Sequence, residues 1–167
     1  MKPIIFSEKG QKCFDHLYKL AESLSIQVIF NPVCEVGGYN DQTDGLYSIE
    51  LKTYDDVQNN HDRECRILSK FAHELRHSIH INKGYFEPYY NCFDIEDLKT
   101  KEAKLFLISG FYAEQDCDNF ARNLLQDYGI TLNYNNLYDA HFFLTFFIKW
   151  YRVDLYLYCF YRIWWKG

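Results

Sequence analysis

The segment FAHELRHSIHIN, residues 71–82, carries three histidines, a glutamate and an arginine in a stretch whose apolar residues recur at helical spacing. Leu68, Phe71, Leu75 and Ile79 or Ser78 form the core stripe of such a helix, which leaves His73 and His77 on another side, free to face a cleft. Four residues apart, the two imidazoles stack on one face within reach of a single ion. Two zinc ligands need this spacing, because each nitrogen must lie about 2.0–2.1 Å from the metal. Glu74 projects about 100° around the helix from His73. It can lean over the open coordination position without binding the metal, take a proton from zinc-bound water and hand it to a leaving amine. Chance would place HExxH in roughly one chain in a hundred of this length and composition, so the helical context carries the argument rather than the bare pattern.

Two histidines and a water leave a tetrahedral zinc one ligand short. The strongest source of a third is FYAEQDCDNFARNLL, residues 111–125. Glu114, Asp118, Ala121 and Leu125 follow one helical stripe, so a single helix could present Glu114 to the metal. Asp118, one turn on, would accept the free N–H of a ligand histidine and so set its tautomer and ring angle. The competing reading is an ordinary acidic helix face. His80 reads as a hydrogen-bonding helix residue, since a third ligand on the same helix lies too far along it to complete a tetrahedron.

Around these two segments the chain reads as one α+β domain with a small early sheet and helices after it. Its 167 residues are enough for a single core without staples. Ser7 caps a first helix whose stripe is Cys13, Phe14, Leu17, Leu20, Ala21 and Leu24. IQVIFNP, ended by Asn31-Pro32, and LYSIELKTY, residues 46–54, read as strands, with VCEVGGYNDQTDG between them as a loop or hairpin turn. The active-segment helix starts within DDVQNNHD and runs to about Asn82 before Gly84 ends it. From Asp94 to Ile130 the spacing predicts two helices meeting near Ser109-Gly110, with Gly129 as a C-cap. Residues from about 136 form an aromatic, helical C-terminal segment, read as core or as a partner- or membrane-surface face.

The formal charge of −5 argues against direct nucleic-acid binding, which needs a basic face. The N-terminus MKPIIFSEKG lacks the apolar core of a signal peptide, so the expected location is the cytoplasm. The C-terminal apolar stretch is interrupted by Lys149, Arg152, Asp154 and Arg162 and should not span a bilayer. None of the six cysteines is spaced as CxxC or CxC, and buried reduced thiols are expected.

AHELRH followed by E-x-D-C-D-x-F-A-x-x-L-L resembles the ImmA/IrrE family of gluzincin-type zinc metallopeptidases, over roughly residues 10–127. Asp116 and Cys117 depart mildly from the family's Glu and Ala, and Arg76 stands where a small residue is common. The resemblance implies a zincin-like fold and one Zn2+ per chain held by His73, His77 and Glu114, with Glu74 as catalytic base and Asp118 as hydrogen-bond partner of a ligand histidine. It further implies an endopeptidase acting on a specific protein or peptide, with a helix-turn-helix transcriptional repressor of a phage or mobile element as the candidate. Arg76 is expected to pair with Glu64 or Asp62, with binding of a substrate carboxylate as the alternative. In zincins an edge strand beside the helix pairs with extended substrate, which would make Gly45, Leu46 and Tyr47 substrate-binding; a plain sheet strand is the equal alternative. Tyr112, Tyr134, Tyr138 and His141 are all chemically able to stabilise an oxyanion, and spacing selects none of them. The competing function is a non-catalytic protein-interaction module that keeps the fold.

Overall fold

A computed structural model describes residues 3–33, 38–42, 46–90 and 101–132. Their order is α1 (Glu8–Ser23), β1 (Ile26–Asn31), β2 (Gly38–Gln42), β3 (Leu46–Lys52), α2 (Asn60–Lys83), α3 (Glu87–Tyr90) and α4 (Lys101–Asp127). The described residues are thus α+β. The described residues fall into two compact units, those up to residue 79 with 116–132, and those within 80–115.

Local chemistry explains most helix boundaries. Ser7 caps α1, its hydroxyl accepting from the Gly10 amide at 3.0 Å. Asn59 caps α2, its side-chain oxygen accepting from the amides of His61 and Asp62 at 2.9 and 3.3 Å. Both long helices stop at a glycine in the left-handed region. After α4, Gly129 (φ 66°) donates to the Gln126 carbonyl and Ile130 to that of Leu125. After α2, Gly84 (φ 66°) donates to Ile81 and Tyr85 to His80, so both ends are Schellman caps.

In the first unit, β3 is the middle strand of a three-stranded sheet of order β1-β3-β2. It pairs in parallel with β1 (Ile26 opposite Tyr47, Asn31 opposite Lys52) and antiparallel with β2 (Gly38 opposite Glu50, Gln42 opposite Leu46). β2 lies inside the segment read from sequence as a loop or hairpin turn. Gly38, Asn40 and Asp41 are poor strand formers, and only pairing with β3 makes this stretch a strand.

Ile49 and Leu51 of β3, Cys13, Leu17 and Ala21 of α1, Leu68, Phe71, Ala72 and Leu75 of α2, and Ala121 and Leu125 of α4 are buried in one core. Phe14 links the layers, its ring 5.6 Å from Phe71 and 5.9 Å from Phe30. Arg63, buried at the start of α2, ties down the approach to that helix. It donates to the Thr53 carbonyl at 2.7 Å and the Pro3 carbonyl at 3.0 Å, and pairs with Asp55 at 2.6 Å. Cys13, Cys65 and Cys117 are buried; Cys34, Cys92 and Cys159 lie outside the described residues. Burial, with Glu64 nearby, pushes the Cys13 thiol up to about 12 and that of Cys65 up to about 11, which keeps both neutral packing groups.

One polar contact across this core has a measurable consequence. Glu64 of α2 accepts from the backbone amide and, at 2.9 Å, the hydroxyl of Ser7, placing a carboxylate at the N-terminus of α1. A Cβ at Gly10 would lie 2.3 Å from Glu64 Oε2. Gly10→Ala would push the Glu64 carboxylate, the far end of a flexible side chain, off Ser7, so it is expected to gain less than the ~1 kcal/mol that alanine's higher helix propensity offers. Urea denaturation checks this: the full gain would mean that Glu64 does not approach α1 so closely.

Two further elements differ from expectation. The predicted break near Ser109-Gly110 is absent, and α4 runs through both residues. An interior glycine costs a helix about 1 kcal/mol, which a 27-residue helix absorbs. In the second unit the stretch after Gly84, read as irregular, includes the single helical turn α3, while residues 91–100 lie outside the described set. So does the aromatic C-terminal segment. Among the described residues no helix is long and apolar enough to cross a membrane.

Candidate metal centre

Two helices of the first unit build the site. α2 presents His73 and His77 one turn apart, both buried, with ring centroids 4.7 Å apart and planes at 72°. Their Nε2 atoms face each other at 3.0 Å. Two nitrogens bound to one tetrahedral ion at 2.0–2.1 Å would be about 3.3 Å apart, so the pair is close to the separation a shared ion needs. On the far side of the ring, His73 Nδ1 lies 2.9 Å from Asp118 Oδ1. A carboxylate accepts, so Nδ1 donates and the lone pair sits on Nε2, where a metal would take it.

Three consecutive residues of α4 meet this face of α2. Asp116 pairs with Arg76 (Nε to Oδ2, 2.6 Å), Asp118 takes the His73 N–H, and Cys117 lies between them. Cys117 is fully buried, and its Sγ and one ring nitrogen from each of His73 and His77 all lie within 4.8 Å of one another. Those three residues could hold a metal ion. In the sequence Cys117 is visible only as a mild departure from a family pattern. The available signal was its place beside Asp118, on the helix already assigned to the site.

Arg76 is paired, but its partner is Asp116 rather than the expected Glu64 or Asp62. Both of those lie on α2 itself, about 18–21 Å before Arg76 along the helix axis and beyond its reach, and Arg76 also lies over the Phe120 ring at 5.4 Å. With Asp116 40% exposed, the pair contributes little stability. Glu74, the expected base, is buried and forms an ion pair with Lys70, one turn earlier on α2 and also buried.

In the second unit, the Glu114 carboxylate is nine-tenths buried and accepts from the Tyr89 hydroxyl at 2.9 Å. His80 is fully buried, its Nδ1 3.1 Å from the Tyr90 hydroxyl and its ring edge-on to Phe86 at 4.8 Å. Packed in this aromatic setting, it is a core histidine.

Of the expected substrate strand, Leu46 and Tyr47 lie on β3, and Gly45 lies outside the described residues. β3 is flanked on both sides, so the free edge expected there is taken up by β1 and β2. The sheet's edges belong to those two strands because residues 38–42, read as loop, add a third strand. Among the oxyanion candidates Tyr112 is on α4 and exposed, while Tyr134, Tyr138 and His141 lie outside the described residues.

Comparison of the chain with protein-family models, curated proteins and solved structures finds no match. The functional reading therefore stands on the geometry of α2 and α4.

Proposed function

We propose that this chain is a zinc-dependent endopeptidase with a zincin-like fold, related to the ImmA/IrrE family, and that His73 and His77 hold the metal together with a donor from α4. The observation that carries the reading is the convergence of the two Nε2 atoms at 3.0 Å, with His73 oriented from behind by Asp118. An imidazole whose far nitrogen donates to a carboxylate, with its lone pair turned toward a second imidazole one turn along, is an arrangement that suits zinc. Glu114, which the family resemblance implies, and Cys117 are the two candidate donors on α4.

When bound, zinc would supply Lewis acidity, polarising a carbonyl and acidifying a water. The rest falls to the chain. Glu74 takes the proton of the attacking water on its carboxylate and passes it to the departing amine. To do so it exchanges the Lys70 ammonium for water; until then the ion pair holds the carboxylate in one rotamer. Asp118 keeps the His73 ring in place.

The substrate proposed is a protein, with helix-turn-helix repressors as first candidates. Purified protein should cleave such a repressor at one or a few sites, lose that activity in chelator and regain it with zinc. Cleavage indifferent to chelator, or none across a panel of repressors and unfolded proteins, would reject the reading. One observation favours a second reading, a metal-holding interaction module: the intended base already has a buried cationic partner in Lys70. Stoichiometric zinc without hydrolysis is the result that reading expects.

A further inference from the structure

We infer that Cys117 binds the ion shared by His73 and His77 as a thiolate, so that the protein's ligand set is two imidazoles and a sulfur. This rests on the metal reading above and sharpens it. The Cys117 Sγ and the two ring nitrogens already lie within 4.8 Å of one another, all on buried residues of one unit. A nitrogen and a sulfur on one tetrahedral zinc, with bonds of about 2.05 and 2.3 Å, would be about 3.6 Å apart, so closing the site takes about an ångström of movement.

The placement of this cysteine is held from both sides. Asp116 is fixed by Arg76 and Asp118 by His73, and the residue between them on α4 points at the face of α2 that carries the imidazoles. Cys65, by contrast, lies 3.6 Å from His61 Nε2 and donates to the Thr131 carbonyl at 3.7 Å. Binding deprotonates the Cys117 thiol, the proton leaving to solvent.

The donor set defines the ion. Thiolate and imidazole suit zinc and cobalt(II) and discriminate against magnesium and calcium, which prefer oxygen. A carboxylate in third place would relax that discrimination. The sulfur ligand also separates this chain from a two-histidine, one-glutamate site.

X-ray absorption of the intact protein loaded with one equivalent of zinc tests the inference without any variant. The expected spectrum has one sulfur scatterer at about 2.3 Å beside nitrogen at about 2.0–2.1 Å. Cobalt(II) alone should give a near-ultraviolet sulfur-to-cobalt charge-transfer band that Cys117→Ser abolishes and Glu114→Gln keeps. Cys117→Ser should weaken zinc binding by more than about 100-fold, beyond the 10–100-fold expected for a residue that merely orients a ligand. One zinc bound with only nitrogen and oxygen scatterers would overturn the sulfur ligand and leave the metal site standing. If no zinc binds at all, the metal reading itself fails along with it.

Discussion

Replacing Glu74 with glutamine is expected to lower peptide turnover by about 10²–10⁴-fold while the chain still binds one zinc. Glutamine keeps the size and one acceptor of glutamate but cannot take a proton, so the loss falls on proton transfer and not on metal binding. Lys70 adds a second, separable effect. Its buried ammonium pairs with Glu74, and a neutral amide in that place weakens a charge-assisted hydrogen bond, costing about 1–3 kcal/mol of stability. The variant should therefore be inactive, zinc-replete and less stable in urea. Lys70→Met separates the two roles. If the ion pair only stores the base, this change should leave hydrolysis near wild type or raise it; a loss as deep as that of Glu74→Gln would place Lys70 in the reaction itself. Unchanged cleavage by Glu74→Gln would remove Glu74 from the chemistry.

Zinc at 100 times its dissociation constant is expected to stabilise the folded chain by about 2.7 kcal/mol. For a chain of this size that is a rise in Tm of roughly 5–10 °C. His77→Ala should lose the zinc-induced rise whatever it does to the Tm in chelator, because it removes one of the two converging nitrogens. Asp118→Asn should keep the rise but require about 10–100-fold more zinc to reach it. The amide no longer holds the proton on His73 Nδ1 as firmly, and the lone pair at Nε2 is less available. Calorimetry across a zinc titration reads all three proteins on one scale. An equal shift in wild type and His77→Ala would place the metal elsewhere.

Much of this molecule is written in local patterns. Ser7, Asn59, Gly84 and Gly129 end or begin helices through hydrogen bonds to residues within one turn, so caps and helical periodicity are readable without knowing what packs where. The same holds for His73 and His77, because a four-residue spacing puts two side chains on one helix face whatever the rest of the chain does. Asp118 was legible as part of a stripe. The burial and pairing of Glu74 were half legible: Lys70 sits four residues before it, but only packing around α2 makes both groups buried.

What needed the tertiary structure depends on partners distant in the chain. β2 exists because β3 offers it a paired edge, and that pairing moves β3 from edge to centre, which no property of LYSIELK foretells. Continuity of α4 through Gly110 was settled by the rest of a 27-residue helix against a cost of about 1 kcal/mol. Arg76 finds Asp116, 40 residues away, because the packing of α4 on α2 brings that carboxylate to it, whereas Glu64 sits about 18 Å earlier along the axis of the same helix. The third donor is the clearest case. On the sequence alone, Cys117 is one of six dispersed cysteines; the packing of α4 on α2 brings its sulfur to the two histidines. Helical spacing determined which residues share a face, and the contact between two helices decided which of those faces meet.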